Sequence, residues 1–122
     1  MWIRILAAGA VFVSAVIHLE QWILGYRDNA LMGPAMLMNF VGGLVIVALL
    51  LVWRSHWLPW LLTIAFGSAT FGAFLIASTV GLFGVHQRWT IWEVWVAAVV
   101  EIVAIIAGVA GLLLWKAPSA AP

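Results

Sequence analysis

No cysteine occurs anywhere in the 122 residues, which excludes disulfides, thiolate metal sites, iron–sulfur clusters and CxxC redox pairs and leaves the redox character of the compartment unread. Charge is almost as scarce. Asp, Glu, Lys and Arg make up 7% of the chain, where a soluble domain carries about 25%. Five basic residues against four acidic ones leave a net charge of +1, with neither a basic patch for nucleic acid nor a polybasic run for anionic lipid. No nucleic-acid partner is expected. The GxSxG, HExxH, P-loop and Rossmann patterns are also missing, so no catalytic residue is assigned.

What the chain does contain is hydrocarbon and tryptophan. Hydrophobic residues make up 67% of it, nine Trp included, and the mean hydropathy is +1.22. A membrane span needs roughly 20 apolar residues at about 1.5 Å of rise each, and four segments qualify, at about 3–24, 35–53, 58–83 and 92–115. The breaks between them fall at Asp28-Asn29 and Gly33-Pro34, at Arg54-Ser55-His56 and Pro59, and across Gly84 to Thr90. Pro34 and Pro59 suit a first helical turn, where a missing N–H costs nothing, and His56 is read as ending a helix. The sequence thus predicts an all-α integral membrane protein. It is a four-helix transmembrane bundle forming one domain over residues 1–116, with a disordered tail at 117–122. The first apolar run reaches His18, Glu20 and Gln21 without a small-residue cleavage site, and is read as a retained helix rather than a signal peptide.

With four spans both termini share a side. That side carries Arg4, Arg54 and Lys116 against Arg27 and Arg88 on the other, so the positive-inside rule predicts a multi-pass protein of the cell membrane with both termini cytoplasmic. Trp2, Trp53, Trp57, Trp60 and Trp115 then mark the inner interface and Trp22, Trp89, Trp92 and Trp95 the outer one, as aromatic belts.

Small residues forecast the packing. Ala65, Ala69, Ala73, Ala77 and Gly81 recur every four positions on the third helix, a ridge suited to close helix approach. The fourth helix repeats at spacings of four and three through Thr90, Val94, Ala97, Glu101, Ala104, Gly108 and Gly111, which turns Glu101 toward protein. The first helix offers the line Ala7, Val11, Ser14, His18, Gln21 and Gly25, and the second Asn39 with Gly43.

An ionisable side chain within a span costs about 2.5 to 3.5 kcal/mol and is a functional candidate by default. Glu101 lies near the centre of its helix, while His18 and Asn39 lie roughly 7 to 10 Å below the outer helix ends. With Glu93, Glu20, Ser78 and Thr79 they make the outer half polar. The inner half holds only Thr63, Ser68 and Thr70 between its charged ends. A path across the membrane needs polar groups at every depth, so this asymmetry argues against a one-chain channel or pump and for a cavity opening outward. The candidate ligand-binding residues are Glu101, His18, Asn39, Ser14 and Glu93. For each a structural reading stands beside the functional one, with Glu101 fixing helix register through a hydrogen bond and His18 held as a core histidine. Haem would require His86 as second axial ligand to His18, at a mismatched depth. A metal would require His18 and Glu20, which point about 200° apart on a helix. No metal or other cofactor is expected, a quinone excepted. Glu20, Tyr26, Arg27, Asp28, His86, Arg88 and Glu93 read as interfacial ion pairs and caps.

The opening Arg4-Ile-Leu-Ala-Ala-Gly-Ala-Val-Phe-Val-Ser-Ala-Val-Ile-His18-Leu has an early Arg, a small-residue turn around Gly9 and a polar residue near the outer helix end. Over about twenty residues it resembles the small four-helix bacterial membrane proteins of the DoxX-like kind. That resemblance implies a cytoplasmic-membrane protein, linked in some members to quinone-coupled oxidoreductase complexes, and carries over no catalytic residue. The expected role is an accessory or assembly partner of a membrane complex, surrounded by the lipid bilayer and in contact with a membrane-protein partner or a second copy of itself. The alternatives are a binder of a lipophilic small molecule such as a quinone and a small transporter acting as an oligomer.

Overall fold

The computed structural model describes residues 2–82, 84–86 and 92–116; the expectations made for Phe83, Arg88, Trp89, Thr90 and the tail at 117–122 lie outside the described residues. Among the described residues the chain forms four helices, α1 (Trp2–Gln21), α2 (Met32–Val52), α3 (Leu58–Thr79) and α4 (Trp92–Leu114). All four are long and apolar enough to cross a membrane, the first extended to Tyr26 by a π-helical segment over Trp22–Tyr26. The fold is the all-α four-helix bundle that the hydropathy pattern calls for.

The ends have local causes. Asn29 Oδ1 accepts the backbone N–H groups of Leu31 and Met32 at 3.0 and 2.8 Å, which starts α2 three residues earlier than expected and puts Pro34 in its first turn. His56 begins a helix instead of ending one. Its Nδ1 accepts the Leu58 N–H at 3.0 Å, and its ring stacks on Trp53 at 4.6 Å. At the other end of α3 the chain turns off at Gly81, whose φ of +91° takes it out of the right-handed helix. The third span therefore stops at Thr79, short of 83.

Helix α1 packs on α2 and α4, and α3 packs on α4, so the helices close a ring in the order α2, α1, α4, α3, with the α2–α3 seam touching least. The half of the bundle where α1 begins and α4 ends, here the proximal half, is filled by a core of Ala7, Val11, Ile46, Leu50, Trp60 and Ala104.

The alanine ridge of α3 does not make the helix contact expected of it. Ala65 and Ala69 are exposed, and the buried positions are Pro59, Trp60, Thr63, Gly67, Thr70 and Ala77. At about 100° per residue each step of four advances about 40° around the helix, so a strict four-residue repeat winds off the packed face within a few steps. The mixed spacing of α4 does not drift, and Val94, Glu101, Ala104, Gly108 and Gly111 are all buried. Contact between α3 and α4 runs through glycine. A Cβ on Gly67 would lie 3.0 Å from the Glu101 carbonyl oxygen and 2.8 Å from Ile105, and one on Gly108 would lie 2.8 Å from Ile64. Thr63 is hidden at that face because its hydroxyl donates to the Pro59 carbonyl at 2.8 Å.

Arg4, counted with the basic residues on the side of the termini, is folded into the bundle. It is 9% exposed, donates from Nη1 to the Leu50 carbonyl at 2.7 Å and holds its guanidinium 4.6 Å from the Trp60 ring centroid. Near the end of α2 the Arg54 N–H bonds to Val52 O, so the Leu50 carbonyl at that negative helix terminus is taken up by a cation. A charged hydrogen bond contributes about 1.5–3 kcal/mol and a cation–π contact about 0.5–1 or more. We expect Arg4→Met to lower stability by about 2–3 kcal/mol in micelles, with Arg4→Lys intermediate; equal unfolding midpoints for the three proteins would show that Arg4 stabilises nothing.

Candidate functional site: a cavity in the distal half

The half away from the termini is hollow. A cavity of about 420 Å³ lies there, with walls from all four helices and from Leu82 and Val85 in the turn after α3. The alanine ridge reappears as its wall. Ala69, Ala73 and Ala77 line the space, and their small side chains leave volume where larger ones would fill it.

Four of the five candidate residues, His18, Asn39, Glu93 and Glu101, line this cavity. Glu101 comes from the glycine-rich seam of α4, is 2% exposed, and has its Oε1 buried with no hydrogen-bond partner among the described residues. Asn39 reaches from α2 across the loose seam and donates from Nδ2 to Thr70 Oγ1 at 3.1 Å. The Thr70 hydroxyl hydrogen is already donated to the Phe66 carbonyl, so Thr70 can only accept from Asn39, and this fixes which way the amide faces. Asn39 Oδ1 is thereby left buried and without a partner. Ser14, the fifth candidate, is fully buried beneath the cavity and does not line it. Its role is to hold His18. The His18 Nδ1 lies 2.6 Å from the Ser14 carbonyl and 3.5 Å from its hydroxyl. A carbonyl only accepts, so Nδ1 carries a hydrogen and Nε2 is the atom left for other partners.

Thr70 was placed in the apolar inner half by the sequence reading, yet belongs to this site. A threonine on a helix facing an asparagine at matching depth was the available signal. His86 is exposed, packs its ring on Gly81 and does not line the cavity, so it and His18 do not meet there. Among the described residues no cluster of three or more His, Asp or Glu could hold a metal ion.

Ala35, Met38 and Ala69 are the exposed residues of the lining, Met38 at 73%. All three belong to α2 and α3, the neighbouring helices that touch least. Comparison of the chain with protein-family models, with curated proteins and with solved structures finds no match.

Proposed function

We propose that this is a multi-pass protein of the cell membrane, with both termini cytoplasmic, that binds a lipophilic small molecule such as a quinone in the distal cavity. The observation that carries the reading is a largely apolar cavity whose lining gathers the half-buried His18, Asn39 and Glu93 with the buried Glu101. A volume of about 420 Å³ suits a small-molecule site, which is typically apolar with a few convergent polar groups. The sequence count of Arg4, Arg54 and Lys116 on the side of the termini against Arg27 and Arg88 on the other supports the cytoplasmic placement of that end.

The accessory or assembly role expected first gains no surface of its own. Exposed large apolar residues, among them Phe12, Val45, Ile76 and Ile106, are spread over all four helices, as lipid contact requires. A place beside a quinone-coupled complex, implied by the DoxX-like resemblance of α1, is compatible with ligand binding and adds a neighbour to it.

The test fills the cavity. Ala73→Phe puts a ring into the space, whereas Ala65→Phe puts the same ring on the exposed stretch of α3. Bound lipophilic molecules are identified by mass spectrometry after purification in mild detergent, and binding of decyl-substituted phenol and benzoquinone probes is titrated by tryptophan fluorescence. Ala73→Phe is expected to lose co-purifying ligand and to weaken probe binding at least tenfold, with Ala65→Phe unchanged. Equal binding by both variants would overturn the reading.

A further inference from the structure

We propose that the proximal end of the bundle holds a binding site for the phosphate of an anionic membrane lipid, with the Arg4 guanidinium as its donor. A cavity of about 210 Å³, half the volume of the distal one, lies there between Ile3, Arg4, Trp60, Gly111, Leu114 and Trp115. Its walls come from α1, α3 and α4, with Trp115 just beyond the last. Arg4 has hydrogen bonds to spare. Among the described residues its guanidinium gives one, from Nη1 to the Leu50 carbonyl at 2.7 Å, and has the Trp60 ring centroid 4.6 Å away, whereas the group carries five N–H donors. Neither partner is an anion.

The chain supplies no acidic side chain at this end. Glu20 and Asp28 fall at and beyond the distal end of α1, and Glu93 and Glu101 on the first half of α4, and these are the four acidic residues of the sequence. Arg54 and Lys116, by contrast, follow the proximal ends of α2 and α4, and Arg54 is close enough for its charge to act on Arg4. The sequence has no basic run, yet folding gathers three cations from three helix ends. A cation that is 9% exposed and faces no counter-ion bears a desolvation cost that an anion in contact offsets. A guanidinium pairs with phosphate through two parallel N–H···O bonds, and Trp60 and Trp115 mark the depth of the membrane interface, where lipid phosphates lie. All three cations attract a head group of net negative charge, while they repel the ammonium of a zwitterionic one. Leu114 on the cavity wall is exposed and offers apolar surface to the carbons of a lipid, which free phosphate lacks.

This site lies in the other half of the bundle from the distal cavity, so it stands or falls independently of the ligand bound there. The full chain in micelles of a neutral detergent is titrated with phosphatidylglycerol, phosphatidylcholine and inorganic phosphate, and retained lipid is measured by native mass spectrometry. Phosphatidylglycerol is expected to be retained at least about tenfold better than phosphatidylcholine, and inorganic phosphate should not displace it. Leu114→Glu puts a carboxylate on the cavity wall while leaving the Arg4–Leu50 bond in place, and should bring the two lipids within about twofold of each other. Leu113→Glu is the matched control, the same charge on an exposed neighbour that does not line the cavity, and should keep the preference. Equal retention of the two lipids by the wild type would overturn the site, and this comparison needs no variant to fold. Equal loss of preference in the two glutamate variants would also overturn it, since the attraction would then be diffuse. Displacement by inorganic phosphate would overturn the lipid as the source of the phosphate.

Discussion

Glu101→Met is expected to make the ligand-free bundle more stable, by about 1–3 kcal/mol, and to weaken binding of 4-decylphenol at least tenfold. The two effects share a cause. Glu101 is 2% exposed and its Oε1 has no partner among the described residues, so the folded state bears the desolvation of a carboxyl oxygen and gets no hydrogen bond in return. Methionine is unbranched, similar in length and apolar, which removes the penalty without opening a void or forcing an overpacked rotamer. The carboxyl on the cavity lining goes with it. Unfolding in micelles with and without the phenol separates the terms, because a ligand that binds only the folded state stabilises it by about 2.7 kcal/mol at a hundred times its dissociation constant. The wild type should show that increment and the variant should lack it. A carboxyl that serves to fix helix register through a hydrogen bond predicts the opposite sign, a destabilised Glu101→Met protein, so the direction of the shift decides between the two roles. Glu101→Gln, which keeps an acceptor, should retain most of the binding.

The members of this site were legible in the sequence because depth within a span can be counted. His18, Asn39 and Glu93 each lie in the outer part of an apolar run and Glu101 near the centre of its own, and antiparallel spans bring neighbouring depths together whatever the rotamers. The α4 seam was legible for a related reason, since alternating spacings of four and three stay on one face. What escaped was set by rotation or by tertiary partners. The α3 alanines looked like a contact ridge but drift around the helix and end as a cavity wall. Thr70 could be assigned to the site only once Asn39 was known to lie opposite. Arg4 resembled any basic residue at a helix start, and its partners, the Leu50 carbonyl and the Trp60 ring, are 46 and 56 positions away in the chain. Which neighbouring helices pack most loosely, here α2 and α3, is not encoded in the spacing within a single helix.

Gly111→Ala is expected to be the most damaging single-carbon change in the chain, costing at least the upper end of the roughly 1–3 kcal/mol typical of overpacking. A Cβ there would lie 2.2 Å from Trp60 Cε3 and 2.4 Å from Cδ2 and Cζ3. A flexible side chain could step aside, but Trp60 is a rigid indole, 4% exposed, with the Arg4 guanidinium 4.6 Å from its ring centroid and Arg4 itself tied to the Leu50 carbonyl. Moving the ring away from α4 therefore disturbs the link from α3 through α1 to α2, and the strain spreads over the proximal core instead of relaxing locally. Gly72→Ala is the matched control. Nothing lies within 4 Å of a Cβ at that position, and replacing glycine in a helix interior gains about 0.5–1 kcal/mol, so the two variants should move the unfolding midpoint in opposite directions. The cavity is built from the other half of the bundle, so the folded fraction of Gly111→Ala should bind 4-decylphenol with an affinity within about twofold of the wild type, as distant sites usually act independently. A large loss of affinity in that variant would mean that the packed proximal half also sets the shape of the distal cavity, and that stability and binding are coupled through Trp60.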